Sequence, residues 1–190
     1  MGSNTIRAFI AFKLNTDIQQ VVRHIQDRLM KLDCNIKWVT PENIHLTLKF
    51  LGDVKLKNIG SIQQILRETF SGIPPIETQL TDLGAFPDID YPQVLWVGLD
   101  DDRRQLAGTA KTLEKALGKA GIKKSGKPFS PHITIGRVRS PRNIASLSQA
   151  MTQYTLPDVP KQIFDEVMLF KSTLTPQGPV YERLENIGLH

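Results

Sequence analysis

One short string occurs twice in this 190-residue chain, and the repeat constrains the fold more than any other feature. The string His45 to Leu48 (HLTL) returns as His132 to Ile135 (HITI), at an offset of 87 residues. Polar and apolar residues alternate in both copies, and side chains alternate between the two faces of a β-strand. The two strings therefore predict two corresponding strands, each with imidazole and hydroxyl groups on one face and aliphatic side chains on the other.

Other landmarks recur at the same offset, which indicates an internal duplication. They are Pro41 and Pro128, Phe12 and Leu99, and Ile76 and Ile163. Two copies are too few for a solenoid, and no Gly/Ser-rich linker separates them. We therefore expect two similar lobes, related by a pseudo-twofold axis, that pack as a single domain over residues 1–190.

Hydrophobic periodicity and turn residues predict which segments form strands and helices. The order strand, helix, histidine strand, helix, strand occurs twice, which favours a mixed α/β (α+β) fold. A loop is expected around 176–179 because this segment contains prolines. We expect strands over 5–12, 34–39, 45–52, 76–86, 94–99, 163–169 and 180–186, a second histidine strand from 132, and helices over 15–32, 56–70, 103–120 and 144–154.

Strict alternation along the first histidine strand places His45, Thr47 and Lys49 on one face. Phe50 is then expected on the opposite face, with the leucines of the string. Because a pseudo-twofold axis sets corresponding strands side by side or face to face, we expect the two histidine faces to line one shared cleft.

Two imidazoles across one cleft favour acid/base chemistry on a phosphate. Imidazole has an ordinary pKa of ~6.5, so one histidine can act as a base and the other as an acid near neutral pH. The hydroxyl groups of Thr47 and Thr134 can donate hydrogen bonds to phosphoryl oxygens, and Arg137 can add a bidentate contact. Lys49 lies on the same predicted face and can add a positive charge, but the favoured interpretation is a solvent-exposed strand residue.

A single His-x-Thr string is usually structural, but both residue types recur here while most of their neighbours do not. A metal site is the competing interpretation, and it needs three or four ligands that do not accompany these strands. No Gly-x-Ser-x-Gly elbow or glycine-rich phosphate loop is present. We therefore expect no metal and no cofactor, and we interpret His24 and His190 as surface residues and Cys34 as inert packing.

The chain has a net charge of +5, and many basic residues flank the second histidine string, which is compatible with a polyanionic partner. No apolar run approaches the ~18 residues that span a bilayer, and no secretory signal is visible. A single cysteine cannot form an internal disulfide and fits a reducing cytosol, so we expect a cytoplasmic protein. We also expect a monomer. The flanking basic residues are Lys119, Lys123, Lys124, Lys127, Arg137, Arg139 and Arg142.

The paired strings resemble those of the two-histidine (2H) phosphoesterases, in the branch of the bacterial and archaeal RNA 2′,3′-cyclic phosphodiesterases, also called 2′-5′ RNA ligases. The resemblance covers nearly the whole chain. It rests on HLTLKFLG from His45, HITIGR from His132, the opening strand RAFIA from Arg7 and the string LWVG from Leu95.

This resemblance implies a bilobal fold with antiparallel sheets and outer helices around a central cleft. It also implies metal-independent hydrolysis of RNA 2′,3′-cyclic phosphate ends to 2′-phosphomonoesters. His45 is expected to be the proton donor to the leaving 3′ oxygen, and His132 the base that activates water. Thr47 and Thr134 are expected to hold the phosphoryl oxygens, and Arg137 to help bind phosphate.

Two alternatives stay open at this point. A 2′-5′ RNA ligase acting on tRNA halves runs the same in-line chemistry backward, so the sequence does not separate it from the hydrolase. A non-catalytic RNA-binding module is disfavoured because a pure binder has no need of two proton-transfer groups. The Lys119 to Lys127 loop and the Arg139 to Arg142 segment are expected to contact RNA.

Overall fold

A computed structural model describes residues 4–176 and 178–190, and within them the chain forms ten strands and four α-helices. Gln177, in the predicted proline loop, lies outside the described residues. The strands are β1 (Thr5–Lys13), β2 (Ile36–Trp38), β3 (His45–Lys55), β4 (Ile76–Thr78), β5 (Leu80–Phe86), β6 (Val94–Leu99), β7 (His132–Val138), β8 (Gln162–Phe164), β9 (Glu166–Thr175) and β10 (Gly178–Gly188). The helices are α1 (Thr16–Met30), α2 (Ile59–Phe70), α3 (Gln105–Lys119) and α4 (Ile144–Thr152).

Eight strands form one sheet in the order β10-β9-β1-β3-β7-β6-β5, with β2 paired to β7, and every pairing is antiparallel. The order is symmetric about the central β3 and β7, since β1 corresponds to β6 and β9 to β5. At the centre Leu46 pairs with Ile133, its own counterpart in the repeat. This arrangement confirms the duplicated, bilobal α/β fold, with the histidine strands side by side rather than face to face.

The strand register shows that one of the residue pairs expected to correspond between the two halves was wrong. Phe12 pairs with Leu46, and Val97 pairs with Ile133, so Phe12 corresponds to Val97 and not to Leu99. The first strands of the two halves are therefore offset by 85 residues, while the histidine strands are offset by 87. The second half has two more residues between its first strand and its histidine strand.

The helices cover one face of the sheet because each carries an apolar stripe at helical spacing. In α1 the residues Ile18, Val22, Ile25 and Leu29 are buried, as their three- and four-residue spacing predicts. The Asn15 side chain accepts a hydrogen bond from the Ile18 backbone N–H at 2.9 Å and so caps the helix.

Two predicted strands are interrupted in the structure because one backbone group in each bonds elsewhere. The segment 76–86 divides at Gln79, whose carbonyl accepts from the Asp100 N–H, and 163–169 divides at Asp165, whose carbonyl accepts from the Leu189 N–H. The short strands β4 and β8 then pair with each other as a separate two-stranded sheet. Around Pro179 the prediction of a loop was wrong, because β10 already begins at Gly178.

Candidate active site

An irregularity in β3 changes which side chains face the cleft. Ile10 of β1 pairs with Lys49 and Ala11 pairs with Thr47, so Leu48 has no partner of its own. Such a β-bulge turns the following residues onto the opposite face. Leu48 and Lys49 are accordingly both buried on the helix side, whereas Phe50 is 64% exposed and lines the cavity beside His45. The predictions for Lys49 and Phe50 were therefore wrong.

The same irregularity occurs at the corresponding place in β7. Leu95 pairs with Gly136 and Trp96 pairs with Thr134, which leaves Ile135 without a partner in β6. Arg137 consequently faces the cleft, although strict alternation places a residue five positions after His132 on the other face. Phe50 and Arg137 occupy equivalent positions, so a symmetric scaffold carries an aromatic ring on one side and a guanidinium on the other.

The central strand pair brings the histidines and threonines together. Because Leu46 pairs with Ile133 in antiparallel register, Thr47 lies opposite His132 and His45 lies opposite Thr134. The two histidines are then diagonal neighbours on one face, a relation that corresponds to about 7–8 Å between Cα atoms. Two imidazoles and two hydroxyl groups therefore share this face.

Both imidazoles are oriented by the same type of contact. The Nδ1 of His45 lies 2.7 Å from the carbonyl oxygen of Asn43, and the Nδ1 of His132 lies 2.7 Å from that of Ser130. Since a carbonyl oxygen can only accept, each Nδ1 carries the hydrogen and donates it. This leaves Nε2 of each ring free for proton transfer.

Packed rings flank His45 and shield part of it from water. Phe9 stacks on the imidazole with 4.9 Å between ring centroids, and Tyr181 meets it edge-on at 5.6 Å. Burial lowers the pKa of His45 to about 4, although the bond to Asn43 opposes this effect. Burial also raises the pKa of Tyr181.

His132 has a similar but more open environment. Phe86 meets its ring edge-on at 4.9 Å, and Trp96 lies 6.4 Å away. Burial lowers the pKa of His132 as well, and the positive charge of Arg137 adds to the effect. Both imidazoles of the free protein are therefore neutral at pH 7.

A cavity of about 710 Å³ lies on this face, and four of the five predicted site residues line it: His45, Thr47, Thr134 and Arg137. His132 does not belong to the lining, although it neighbours Thr134 on the same face of β7. The cavity extends from the central strands toward β2 and the β9–β10 hairpin. It is therefore offset to the His45 side of the pseudo-twofold axis.

The structure adds side chains that the sequence interpretation missed. Phe9 and Tyr181 contact His45, and Arg7 and Lys37 line the cavity. Arg139 lines it too, in agreement with its expected place near RNA. Their elements are far apart in sequence, so local motifs carry no signal for them beyond the aromatic and basic residues of the opening strand.

Other basic residues do not lie at the cavity. Arg142 pairs with Asp33 on the protein surface, and no lysine of the 119–127 loop belongs to the lining. Within residues 4–176 and 178–190, no group of three or more His, Cys, Asp or Glu side chains is placed to hold a metal ion. In the same part of the chain, no helix is long and apolar enough to cross a membrane.

Comparison with known families settles the ancestry of this arrangement. The model of the LigT-like phosphoesterase family matches the chain twice in succession, over residues 12–96 and 97–181. The chain belongs to the LigT-like phosphoesterase family. The two matches are offset by 85 residues, the same offset that relates β1 to β6.

Relatives in this family are similar over their full length. An RNA 2′,3′-cyclic phosphodiesterase of Methanothermobacter thermautotrophicus is 35% identical over 183 residues, which cover 95% of this chain and 97% of the relative. One of Aquifex aeolicus is 33% identical, with 97% of each chain covered. These alignments include both histidine strands.

Solved structures share the fold. A Thermus thermophilus protein superposes with a TM-score of 0.80 at 24% identity, covering 97% of this chain and 98% of its own. Escherichia coli LigT, in its apo form, superposes with a TM-score of 0.76 at 24% identity, covering 98% and 99%. The single bilobal sheet is therefore the fold of known proteins.

Proposed function

We propose that this LigT-like phosphoesterase is an RNA 2′,3′-cyclic phosphodiesterase that hydrolyses cyclic phosphate ends to 2′-phosphomonoesters. The observation that carries the proposal is the pair of imidazoles on neighbouring strands, each with Nδ1 bonded to a backbone carbonyl and Nε2 free. The full-length relatives with that activity support it. We also propose that it works as a cytoplasmic monomer without metal or cofactor.

The offset of the cavity supports a different role for each histidine. In the in-line reaction the leaving O3′ belongs to the nucleoside, and the attacking water approaches from the opposite side of phosphorus. The nucleoside needs the cavity, and the cavity lies beside His45. We therefore assign His45 as the proton donor to O3′ and His132 as the base that takes the proton of water.

Charge develops on the non-bridging phosphoryl oxygens during the reaction, and fixed donors stabilise it. Thr47 and Thr134 lie on the same face as the histidines, so their hydroxyl groups can donate to these oxygens. The guanidinium of Arg137 projects to the same face and adds positive charge. The exposed ring of Phe50 offers a surface on which any nucleobase can stack.

A direct test uses uridine 2′,3′-cyclic phosphate with excess EDTA, followed by identification of the product. We expect undiminished hydrolysis and uridine 2′-phosphate as the product, because O3′ leaves. A 3′-phosphate product contradicts the assigned roles, and loss of activity in EDTA contradicts a metal-independent reaction. Salt-sensitive RNA binding without turnover of any cyclic phosphate indicates a binding module instead.

Burial of the histidines predicts an acidic optimum for kcat/KM, which reports the free enzyme. One imidazole must be protonated and the other neutral, so the rate peaks between their two pKa values. The pKa of His45 is lowered to about 4 and that of His132 lies below its usual value near 6.5. We expect kcat/KM to peak below pH 6.5 and to fall as pH rises further.

The substrate keeps its single negative charge throughout this range, so both limbs of the profile belong to the protein. In the complex, the bound phosphate favours the protonated form of His45, and the optimum of kcat shifts upward. A kcat/KM profile that still rises above pH 7 contradicts the assignment of two partly buried histidines that are neutral in the free protein.

A further inference from the structure

Three cations share one face of the β2–β7 strand pair without a compensating anion. Lys37 is the direct cross-strand partner of Arg137, so their side chains leave the sheet on the same side. Arg139 follows two residues after Arg137, and its N–H bonds to the Asn35 carbonyl at 2.8 Å, which continues the pairing of the two strands. All three side chains line the active-site cavity.

Like charges directly opposite each other on a sheet destabilise the fold. Among the residues that the structure describes, none of these three cations forms an ion pair, and no Asp or Glu lines the cavity. Arg142, three residues after Arg139, is instead paired with Asp33. The cavity thus carries positive charge without a compensating anion in its lining, which is the pattern of a site for a polyanion.

Spacing indicates that the three cations serve two phosphates. Arg137 lies near Thr134 and the reacting phosphate, whereas Arg139 is two residues further along, about 6.6 Å away. That step is close to the distance between successive phosphates of a nucleic acid strand. Lys37 reaches outward in the same direction, since its Nζ lies 3.9 Å from where a Cβ on Gly178 of β10 would stand.

The β9–β10 hairpin forms one wall of this part of the cavity. The side-chain amide of Asn43 donates to the Pro179 carbonyl at 3.0 Å, and the Asn43 carbonyl accepts from His45. One residue therefore fixes both the hairpin and the imidazole. The sheet order shows that β10 lies at one edge and that no corresponding strand follows β5 at the other edge, so the hairpin borders the cavity on one side only.

We propose that Lys37 and Arg139 form a second phosphate subsite, which binds the 5′-phosphate of the terminal nucleotide. This inference rests on the proposed function. It identifies the preferred substrate as the end of an RNA chain rather than a cyclic mononucleotide. The chain enters past β2 and the β9–β10 hairpin, with its 2′,3′-cyclic phosphate at the central strands.

The test compares kcat/KM for uridine 2′,3′-cyclic phosphate with that for the dinucleotide UpU ending in a 2′,3′-cyclic phosphate. We expect the dinucleotide to be better by about tenfold or more, the effect of one charge-assisted contact. A dinucleotide with a neutral methylphosphonate linkage should lose that advantage, which separates the phosphate from the additional base. Raising the salt concentration should also reduce the advantage.

The variants Lys37→Ala and Arg139→Ala should each reduce the ratio of the two kcat/KM values severalfold, and Arg142→Ala, the matched control, should leave it unchanged. A ratio near one in the wild type overturns the subsite while mononucleotide turnover still supports the proposed function. A ratio that neither variant lowers also overturns it. No turnover of either substrate overturns the proposed function, and the subsite with it.

Discussion

Replacing either His45 or His132 with alanine lowers kcat for cyclic phosphate hydrolysis by about 10²–10⁴-fold, the usual contribution of one positioned proton-transfer group. The double variant should be only slightly worse than the slower single variant, because the two groups act in one transition state and their effects are not additive. Single-turnover rates at saturating substrate measure the chemical step without interference from binding.

An asparagine at either position separates proton transfer from structure. The Asn amide can still donate to the carbonyl that holds each imidazole, at Asn43 or Ser130, but it cannot transfer a proton near neutral pH. We therefore expect His45→Asn and His132→Asn to lose activity while the thermal midpoint of unfolding stays near that of the wild type.

His24, exposed on α1, provides the matched control, and His24→Ala should keep the wild-type rate. If either His45→Asn or His132→Asn hydrolyses the cyclic phosphate at more than about a tenth of the wild-type rate, the acid/base pair is wrong. A loss of the Phe9 and Tyr181 ring contacts then has to be considered as the origin of the His45→Ala effect.

The sequence reveals the site in outline because its strongest signals are local. His45 and Thr47 fall on one face by simple alternation, and the copy at His132 and Thr134 does the same. The apolar spacing of α1 also predicts its buried face, which the structure confirms. Duplication then indicates that the two histidine faces belong together, since a single core must bury both aliphatic faces.

Strict alternation of faces fails at the two bulges, and the bulges determine which charged side chains face the cleft. Leu48 has no partner in β1 and Ile135 has none in β6, and both neighbouring strands are distant in sequence. No local pattern in the sequence reveals a register shift. Strict alternation therefore assigns Lys49 and Phe50 to the wrong faces of β3. Arg137 reaches the cleft for the same reason.

Lys37 and Tyr181 were missed because they reach the cavity from opposite ends of the chain. Lys37 lies on a three-residue strand, and Tyr181 lies on β10, which has no copy in the other half. A duplication argument can find only residues that recur. The features that distinguish the two sides of the site are therefore invisible to it.

Lys49 is the residue for which the sequence and the structure predict opposite experimental results. Its ammonium is buried and donates to Glu114 at 2.8 Å, to the Lys123 carbonyl at 2.8 Å and to the Ser125 hydroxyl at 3.0 Å. All three donors are thus satisfied away from the cavity. Although burial of Glu114 opposes the effect, its bond from Lys49 lowers the pKa of the carboxyl group.

Lys49→Ala should lower the free energy of unfolding by about 2–3 kcal/mol, because the charge-assisted bonds to Glu114, the Lys123 carbonyl and the Ser125 hydroxyl are all lost and the carboxylate keeps only its bonds from Ser125. The loss should shrink as pH falls and Glu114 takes up a proton, since its lowered pKa contributes stability only while the carboxyl is charged. Glu114→Gln and the double variant complete a cycle in which the two effects are strongly non-additive.

Chemical denaturation of the four proteins measures this coupling directly, and steady-state kinetics on the same samples provides the decisive comparison. A buried Lys49 leaves the salt dependence of KM unchanged, since it contacts no phosphate. If Lys49→Ala instead unfolds like the wild type while KM rises and its salt dependence weakens, Lys49 faces the cleft as strict alternation predicts. The bulge at Leu48 would then be wrong, and with it the assignment of Arg137 to the phosphate, because both rest on the same shift in strand register.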